Sequence, residues 1–255
     1  MADLEGLPVA ALALSLILST VVVAAVEVCC RPLMKIDGPA FTSVFQGSVR
    51  FNNYVGVTLA AGLFGAQGIA LAAICNAAIV PTVNILCVLV FAWFGTARLT
   101  AEAVLRQLVN NPLILASLAG IGFQILGLRI PPGVEPALKA LGAASLPLGL
   151  LCVGAALNFG TARAWVGPVA SSSAFKFLMM PAASLFVAHV MGLESPALTT
   201  ALLFQVLPTA SSAYILARQL GGDAPLMAGI TATQTNMAVA AIPLMVIAAS
   251  ATAML

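Results

Sequence analysis

QGSVRFNNY (46–54) interrupts an apolar run extending from 41 to 65, and QVLPTASSAY (205–214) interrupts another from 197 to 219. Each patch puts polar, helix-breaking residues in the middle of a stretch long enough to cross a bilayer. Backbone can be irregular at that depth only where it is buried in protein or lines a wet cavity, because an unpaired amide in lipid costs several kcal/mol. A helix broken there offers the free N–H groups and positive dipole end of a half-helix N-terminus, which suit an anion, while freed carbonyls suit a cation. The breaks are expected at Asn52 and Asn53 in one patch and at Pro208 and Thr209 in the other. Either patch alone could equally serve packing, with Pro208 kinking a helix and Asn52, Thr209, Ser211 and Ser212 bonding neighbouring helices. Their matched positions favour one shared site, with Asn52, Asn53, Thr209, Ser211 and Ser212 around a substrate.

The surrounding sequence is suited to lipid. Of 255 residues, 62% are apolar and 7% charged, against roughly 45–50% and about 25% in a soluble domain. A hydrocarbon core about 30 Å thick takes around 20 apolar residues per helix. Such stretches recur at 8–31, 41–65, 69–94, 111–129, 137–159, 165–191, 197–219 and 224–250. Between them stand breakers and charges, among them RPLMKIDGP (31–39), GAQG (65–68), RIPPGVEP (129–136), GTARAW (160–165) and GGDAP (221–225). The expected fold class is an all-α integral membrane protein with about eight transmembrane helices. MADLEGLP (1–8) lacks a positive n-region, so the first apolar stretch reads as a true span rather than a signal peptide.

Cytoplasmic loops hold the excess of Lys and Arg. Arg31, Lys35, Arg98, Arg106, Arg163 and Arg218 fall on one side and Arg129 and Lys139 on the other. This predicts a multi-pass protein of the cell (inner) membrane with both ends outside, Asp3 and Glu5 included. Shifting the chain by 156–157 residues sets GPAFT (38–42) on SPALT (195–199) and GLFGAQG (62–68) on RQLGGDA (218–224). Spans one to three then match spans six to eight, and a displacement of five spans inverts the second copy, as in many secondary transporters. The expected division is an incomplete first repeat over 1–95, a cytoplasmic loop over 96–110 and a second, inverted repeat over 111–255. Spans four and five find no partners in the first copy, so the repeat implies a ten-helix architecture from which the first two helices are missing here.

Lys176 lies near the centre of the sixth span, where an ionisable group costs at least about 2.5 kcal/mol. It reads as a counter-charge for an anionic substrate or a group that changes protonation during a cycle, with a structural pair as the competing reading. Arg50 precedes the asparagine pair by two residues and could serve the same anion or reach a boundary through its long stem. Glu27 and Arg31 have the i,i+4 spacing of a helical ion pair. His189 reads as a packing or interfacial residue. Asn76, Thr82 and Asn84 in the third span, and Gln234, Thr235 and Asn236 in the eighth, could line the cavity, as could Tyr214; small-residue packing uses the same residue types.

The net charge of +2 comes from scattered residues, without the basic stripe of a nucleic-acid binder. Five apolar-segment cysteines without a CxxC pair or His cluster argue against a metal site. No HExxH, GxSxG, P-loop or dinucleotide fingerprint is present, so neither an enzyme nor an ATP-driven pump is expected.

NPLILASLAG (111–120), LGAASLPLGLLCVGAAL (141–157), LPTASSAYILARQLGGD (207–223) and TNMAVAAIPL (235–244) resemble the auxin efflux carrier family, which includes bacterial malonate and malate permeases. RFNNY (50–54) followed by FGAQG (64–68) is similar to the family's other crossing helix. The resemblance implies a ten-helix inverted-repeat carrier with two crossed broken helices at the substrate site and an elevator-like movement. It places the breaks at Asn52 and Asn53 and at Pro208 and Thr209, and implies small organic anions as substrates. The resulting expectation is a secondary transporter for an anion such as a dicarboxylate, without a bound cofactor, driven by the substrate's own gradient or by a proton or sodium gradient. Lys176 or Arg50 would balance the anion's charge; the partners are that anion and membrane lipid, and a homodimer is compatible. The alternatives are a cation/proton antiporter of related fold, against which the lack of an intramembrane Asp near the crossing argues, and an inactive truncated membrane remnant.

Overall fold

The computed structural model describes residues 7–95, 106, 109–110, 112–128, 130–156 and 165–252. Most of the loop expected over 96–110, and Asp3, Glu5, Arg98, Arg129 and Arg163, lie outside them. Every regular element among the described residues is helical, in agreement with the all-α expectation. α1 (Val9–Met34) buries the stripe Leu12, Ser15, Leu16, Ser19, Thr20, Val23, Ala24 and Glu27, the three- and four-residue spacing of one helix face. The other face leaves Leu14, Leu18, Val21 and Val22 exposed, a surface that lipid tails match.

α2 (Gly38–Val49) begins at Asp37, whose carboxylate accepts from the Ala40 amide at 2.8 Å, with Pro39 in the first turn. It stops at Arg50, where the backbone becomes extended. α3 (Asn53–Phe94) resumes after Asn52 and contains Gly65 at φ 58° and ψ −134°, a conformation essentially confined to glycine. The chain folds back there. A Cβ on Gly68 would overlap the Ala60 carbonyl, whereas residues eight apart in a straight helix are separated by about 12 Å. The expected GAQG separator is thus a one-residue reversal within α3.

α4 (Pro112–Ile125) and α5 (Glu135–Ala156) follow, with an exposed Glu135–Lys139 pair at 2.6 Å in the first turns of α5. Lys139 lowers the carboxyl of Glu135 below the usual carboxylate range. α6 (Val166–Ala174) passes through a π-turn at Phe175–Met179 into α7 (Met180–Val190). α8 (Ala197–Val206) stops at Leu207, α9 (Ser212–Leu220) resumes beyond it, and α10 (Ala224–Thr252) comes next. Val9–Met34, Gly38–Phe94, Val166–Val190 and Ala224–Ala249 are long and apolar enough to cross a membrane. The protein is a multi-pass membrane protein.

Both interrupted spans are present. α2 is about 18 Å long and α8 about 15 Å, each too short for a core of about 30 Å without its second half. Phe41 through Val49 and all of Ala197–Val206 are buried, as expected of helices apolar on every side. α2 is walled by α1, α3, α6 and α10, and α8 by α3, α7 and α10. The two broken spans run antiparallel. Asp223, just past α9, donates its amide to the Pro39 carbonyl at 3.2 Å and accepts from the Ser43 hydroxyl at 2.8 Å, so one span begins where the other ends. Midway, the Asn52 amide donates to the Pro208 carbonyl at 2.8 Å. The breaks touch.

Glycine permits that approach. A Cβ on Gly47 would overlap Ser172 Oγ and come within 2.6 Å of Ile230 Cγ2. Gly47→Val is therefore expected to push α2 off α6 and α10 and cost about 1–3 kcal/mol as overpacking. Thermal unfolding in detergent checks this, and an unchanged midpoint would contradict the close packing.

The expected Glu27–Arg31 pair is absent. Glu27 is fully buried and accepts from Ser48 Oγ at 2.7 Å. The Arg31 guanidinium instead lies 4.5 Å from the Phe94 ring centroid and 5.6 Å from that of Phe41. Glu27 faces inward on the α1 stripe, whereas the long Arg31 stem reaches aromatic faces at the helix end, where the ring quadrupole attracts its charge.

Candidate functional site

Each break ends in a half-helix N-terminus. Asn52, Asn53 and Tyr54 open α3, with Asn52 Oδ1 accepting from the Val55 amide at 3.4 Å; Ser211 and Ser212 open α9. With Arg50 they wall a cavity of about 520 Å³, within the roughly 300–1,000 Å³ usual for small-molecule sites. The far arm of α3 supplies Val80, Val83 and Asn84, and α5 supplies Leu148 and Cys152. The Tyr54 hydroxyl donates to the Gly142 carbonyl at 3.0 Å, fastening α3 to α5 at the cavity edge.

Arg50 is the charge of this cavity and is only 5% exposed. Its Nη1 donates to Asn84 Oδ1 at 2.9 Å and its Nη2 to Ser212 Oγ at 3.1 Å, while Nε has no partner. No carboxylate stands within 4 Å of it among the described residues. Arg50 is itself the residue that ends α2, its backbone amide donating to the Gln46 carbonyl, and its guanidinium reaches across the cavity to Ser212 at the start of α9. A buried guanidinium held by neutral oxygens, with two helix N-termini beside it, has donors left for an anion.

The structure brings Arg50, Asn52, Asn53, Ser211 and Ser212 together here and sets the other expected residues elsewhere. Pro208 and Thr209 form the seam behind the cavity, where Thr209 is 1% exposed and its hydroxyl has no partner. Gln234 is fully buried and ties the breaks together. Its Oε1 accepts from the Thr209 amide at 3.1 Å, and its Nε2 donates to the Gly47 carbonyl at 3.1 Å and to Ser172 Oγ at 3.2 Å. Thr235 and Asn236 are exposed and bond back to the Thr231 and Ala232 carbonyls of their own helix. Asn76 and Tyr214 do not line the cavity.

Lys176 lies apart from the cavity, fully buried on the π-turn. Asn84, Tyr54 and Cys152 also line the cavity; an asparagine in an apolar span was a legible signal for the first, the polar patch 46–54 contained the second, and nothing local marked the third. A larger cavity, about 770 Å³, lies between α6, the π-turn and α10 and includes Asn236. Among the described residues it has no charged group and is walled by groups such as Trp165, Phe177, Leu178 and Met237, so it suits an acyl chain and not an anion.

Residues 95–247 match the family described as membrane transport protein. An uncharacterized transporter of Methanocaldococcus jannaschii is 23% identical over 193 residues, covering 73% of this chain and 62% of the relative. The chain thus matches a little over three fifths of that relative's length. The family match takes in the second break, α9 and α10 and begins after the first break.

Proposed function

Because the chain belongs to the membrane transport protein family, we propose that it is a secondary carrier moving a small organic anion, such as a dicarboxylate, by alternating access around its crossed broken helices. One observation carries this reading: the buried Arg50 guanidinium on the wall of the 520 Å³ cavity, bonded to Asn84 and Ser212 and, among the described residues, to no carboxylate. One carboxylate of the substrate would lie against Arg50 and the N-terminus of α9, in contact with Ser211 and Ser212. Asn52 and Asn53 would orient the rest. The chain would work in the cell (inner) membrane, with inverted units over 1–95 and 111–255. The antiparallel run of the broken spans supports that division.

A cation/proton antiporter is less well supported, because cation sites within a membrane normally use a carboxylate and none lines this cavity among the described residues. The direct test is uptake of radiolabelled malonate, malate and an indole carboxylate into proteoliposomes. Saturable uptake of one of them, inhibited by excess unlabelled anion, is expected; no uptake by correctly folded protein would sink the reading.

Cys152 supplies an independent check, since it stands exposed on the cavity wall. In a background carrying Cys29→Ser and Cys30→Ser, a bulky maleimide on Cys152 is expected to block uptake, and transported anion to slow the labelling. Labelling at the same rate with saturating anion present would place the substrate elsewhere.

A further inference from the structure

A second polar cluster lies behind the cavity. Glu27 on α1 and Lys176 on the π-turn are both fully buried. Each acts electrostatically on the other, yet no nitrogen–oxygen approach within 4 Å joins them. Glu27 Oε1 accepts from Ser48, while Glu27 Oε2 and Lys176 Nζ have no hydrogen-bond partner, and both amide atoms of Gln46 are likewise buried and free. Buried charges normally pair or bond fully, because an unsatisfied buried group is costly and calls for an explanation. Lys176 is also placed by a π-turn, an element that occurs mostly at functional positions.

The cluster adjoins the cavity through two short connections. Ser48, the donor to Glu27, is two residues from Arg50. Cys87, one turn along α3 from Asn84, adjoins the Arg50 guanidinium and is acted on by Glu27 as well. Among the described residues packed around Glu27, α3 brings Cys87, with Cys75 more than three turns farther along, and the end of α2 brings Arg50. The π-turn brings Lys176. α7 carries only His189, exposed in its last turn, and α8 carries no titratable group. On α1 itself Cys29 is exposed, Cys30 is half-buried and Arg31 is engaged by the aromatic rings.

We propose that Glu27 and Lys176 couple the carrier to protons: Glu27 takes up a proton when the anion binds beside Arg50 and gives it up when the anion leaves. The proton comes from water on the side to which the cavity is open and adds to Glu27 Oε2. The negative carboxylate becomes a neutral carboxyl, so the charge brought in by the anion is offset within the same low-dielectric interior. Lys176 draws the empty carrier's carboxylate toward its ionised form by supplying the opposite charge. Proton and anion then bind with mutual assistance, since linkage between two sites is reciprocal, and they cross together as a symport. This rests on the anion-carrier reading and names its driving ion.

The test uses the full chain in detergent at low buffer strength, with malonate, malate and an indole carboxylate as probes and a pH-sensitive dye recording proton exchange. The wild-type protein is expected to take up about one proton per anion bound. Glu27→Gln should still bind the anion with proton uptake falling to about a tenth or less. Lys176→Met gives a second reading if Glu27→Gln fails to assemble. Without its counter-charge Glu27 stays neutral, so anion binding should again draw no proton. In proteoliposomes, the same variants should keep anion counterflow and lose accumulation driven by an acid exterior. Anion binding by wild type without proton uptake, or undiminished proton uptake by the variants, would overturn the proposal while leaving the anion carrier standing. No binding of any probe would remove the anion-carrier reading and this proposal with it.

Discussion

Arg50→Gln is expected to lower the initial rate of anion uptake at subsaturating substrate about a hundredfold, with the protein still inserted in the membrane. A hydrogen bond to a charged group contributes about 1.5–3 kcal/mol, roughly tenfold to a hundred-and-fiftyfold in affinity. The substrate carboxylate would lose one or two such bonds and the only positive charge on the cavity wall among the described residues. Glutamine retains a donor for Asn84 Oδ1, so the fold should lose less than function does. Arg50→Lys is expected to fall between, about tenfold down, because an ammonium keeps the charge but cannot span Asn84, Ser212 and a ligand with one rigid fork. The measurement is KM and maximal rate for each variant in proteoliposomes, with most of the loss expected in KM. If Arg50→Gln matches wild type, Arg50 is only a tie between Asn84 and Ser212, and the anion site lies elsewhere.

Gln234→Leu is expected to cost about 2–6 kcal/mol of stability. The side chain completes both breaks at once, satisfying the Thr209 amide from one and the Gly47 carbonyl at the end of α2 from the other. Leucine has similar volume and pairs with neither, and each buried backbone group left unsatisfied costs about 1–3 kcal/mol. Gln234→Glu should be milder for the Thr209 amide, which keeps an acceptor, and worse for the Gly47 carbonyl, which then faces another acceptor. Thermal unfolding in detergent measures both. If Gln234→Leu unfolds like wild type, the two breaks are held by their own backbone contact and the glutamine is dispensable.

The order and extent of the helices were legible in the sequence because length and polarity decide them in a bilayer. Uninterrupted apolar runs gave the spans, and QGSVRFNNY and QVLPTASSAY showed the two interruptions. Contacts across the molecule were less legible. Gln234 reads like any polar residue in an apolar helix, and only the approach of Thr209, Gly47 and Ser172 makes it a tie between breaks. Glu27 carries an attractive local partner in Arg31, yet spacing alone does not reveal that Ser48 and Lys176 lie on its side of the bundle while two phenylalanine rings draw Arg31 away. Gly65 was hidden for a different reason: GAQG signals a turn, but four residues suggest a loop where one unusual backbone conformation suffices. Cys152 and Leu148 enter the cavity wall only through the placement of α5, and their own neighbourhood in sequence carries no charge and little polarity.

The meeting of the two breaks also sets an order of events during synthesis. Arg50 and Ser212, bonded across the finished cavity, are 162 residues apart in the chain. At about 5–20 residues per second, the ribosome needs roughly 8 to 30 seconds between making the first and making the second. Throughout that interval the first break, with its guanidinium and the Asn52 amide, is in or beside the bilayer without its counterpart. A charged residue at the centre of an inserting helix is disfavoured by about 2.5–3.5 kcal/mol, so the nascent segment has reason to stay within the insertion machinery until α8 and α9 arrive. With a ribosome stalled between α5 and α8, a photo-crosslinker placed in the first broken span should therefore capture the insertion machinery, and with one stalled beyond α10 it should not.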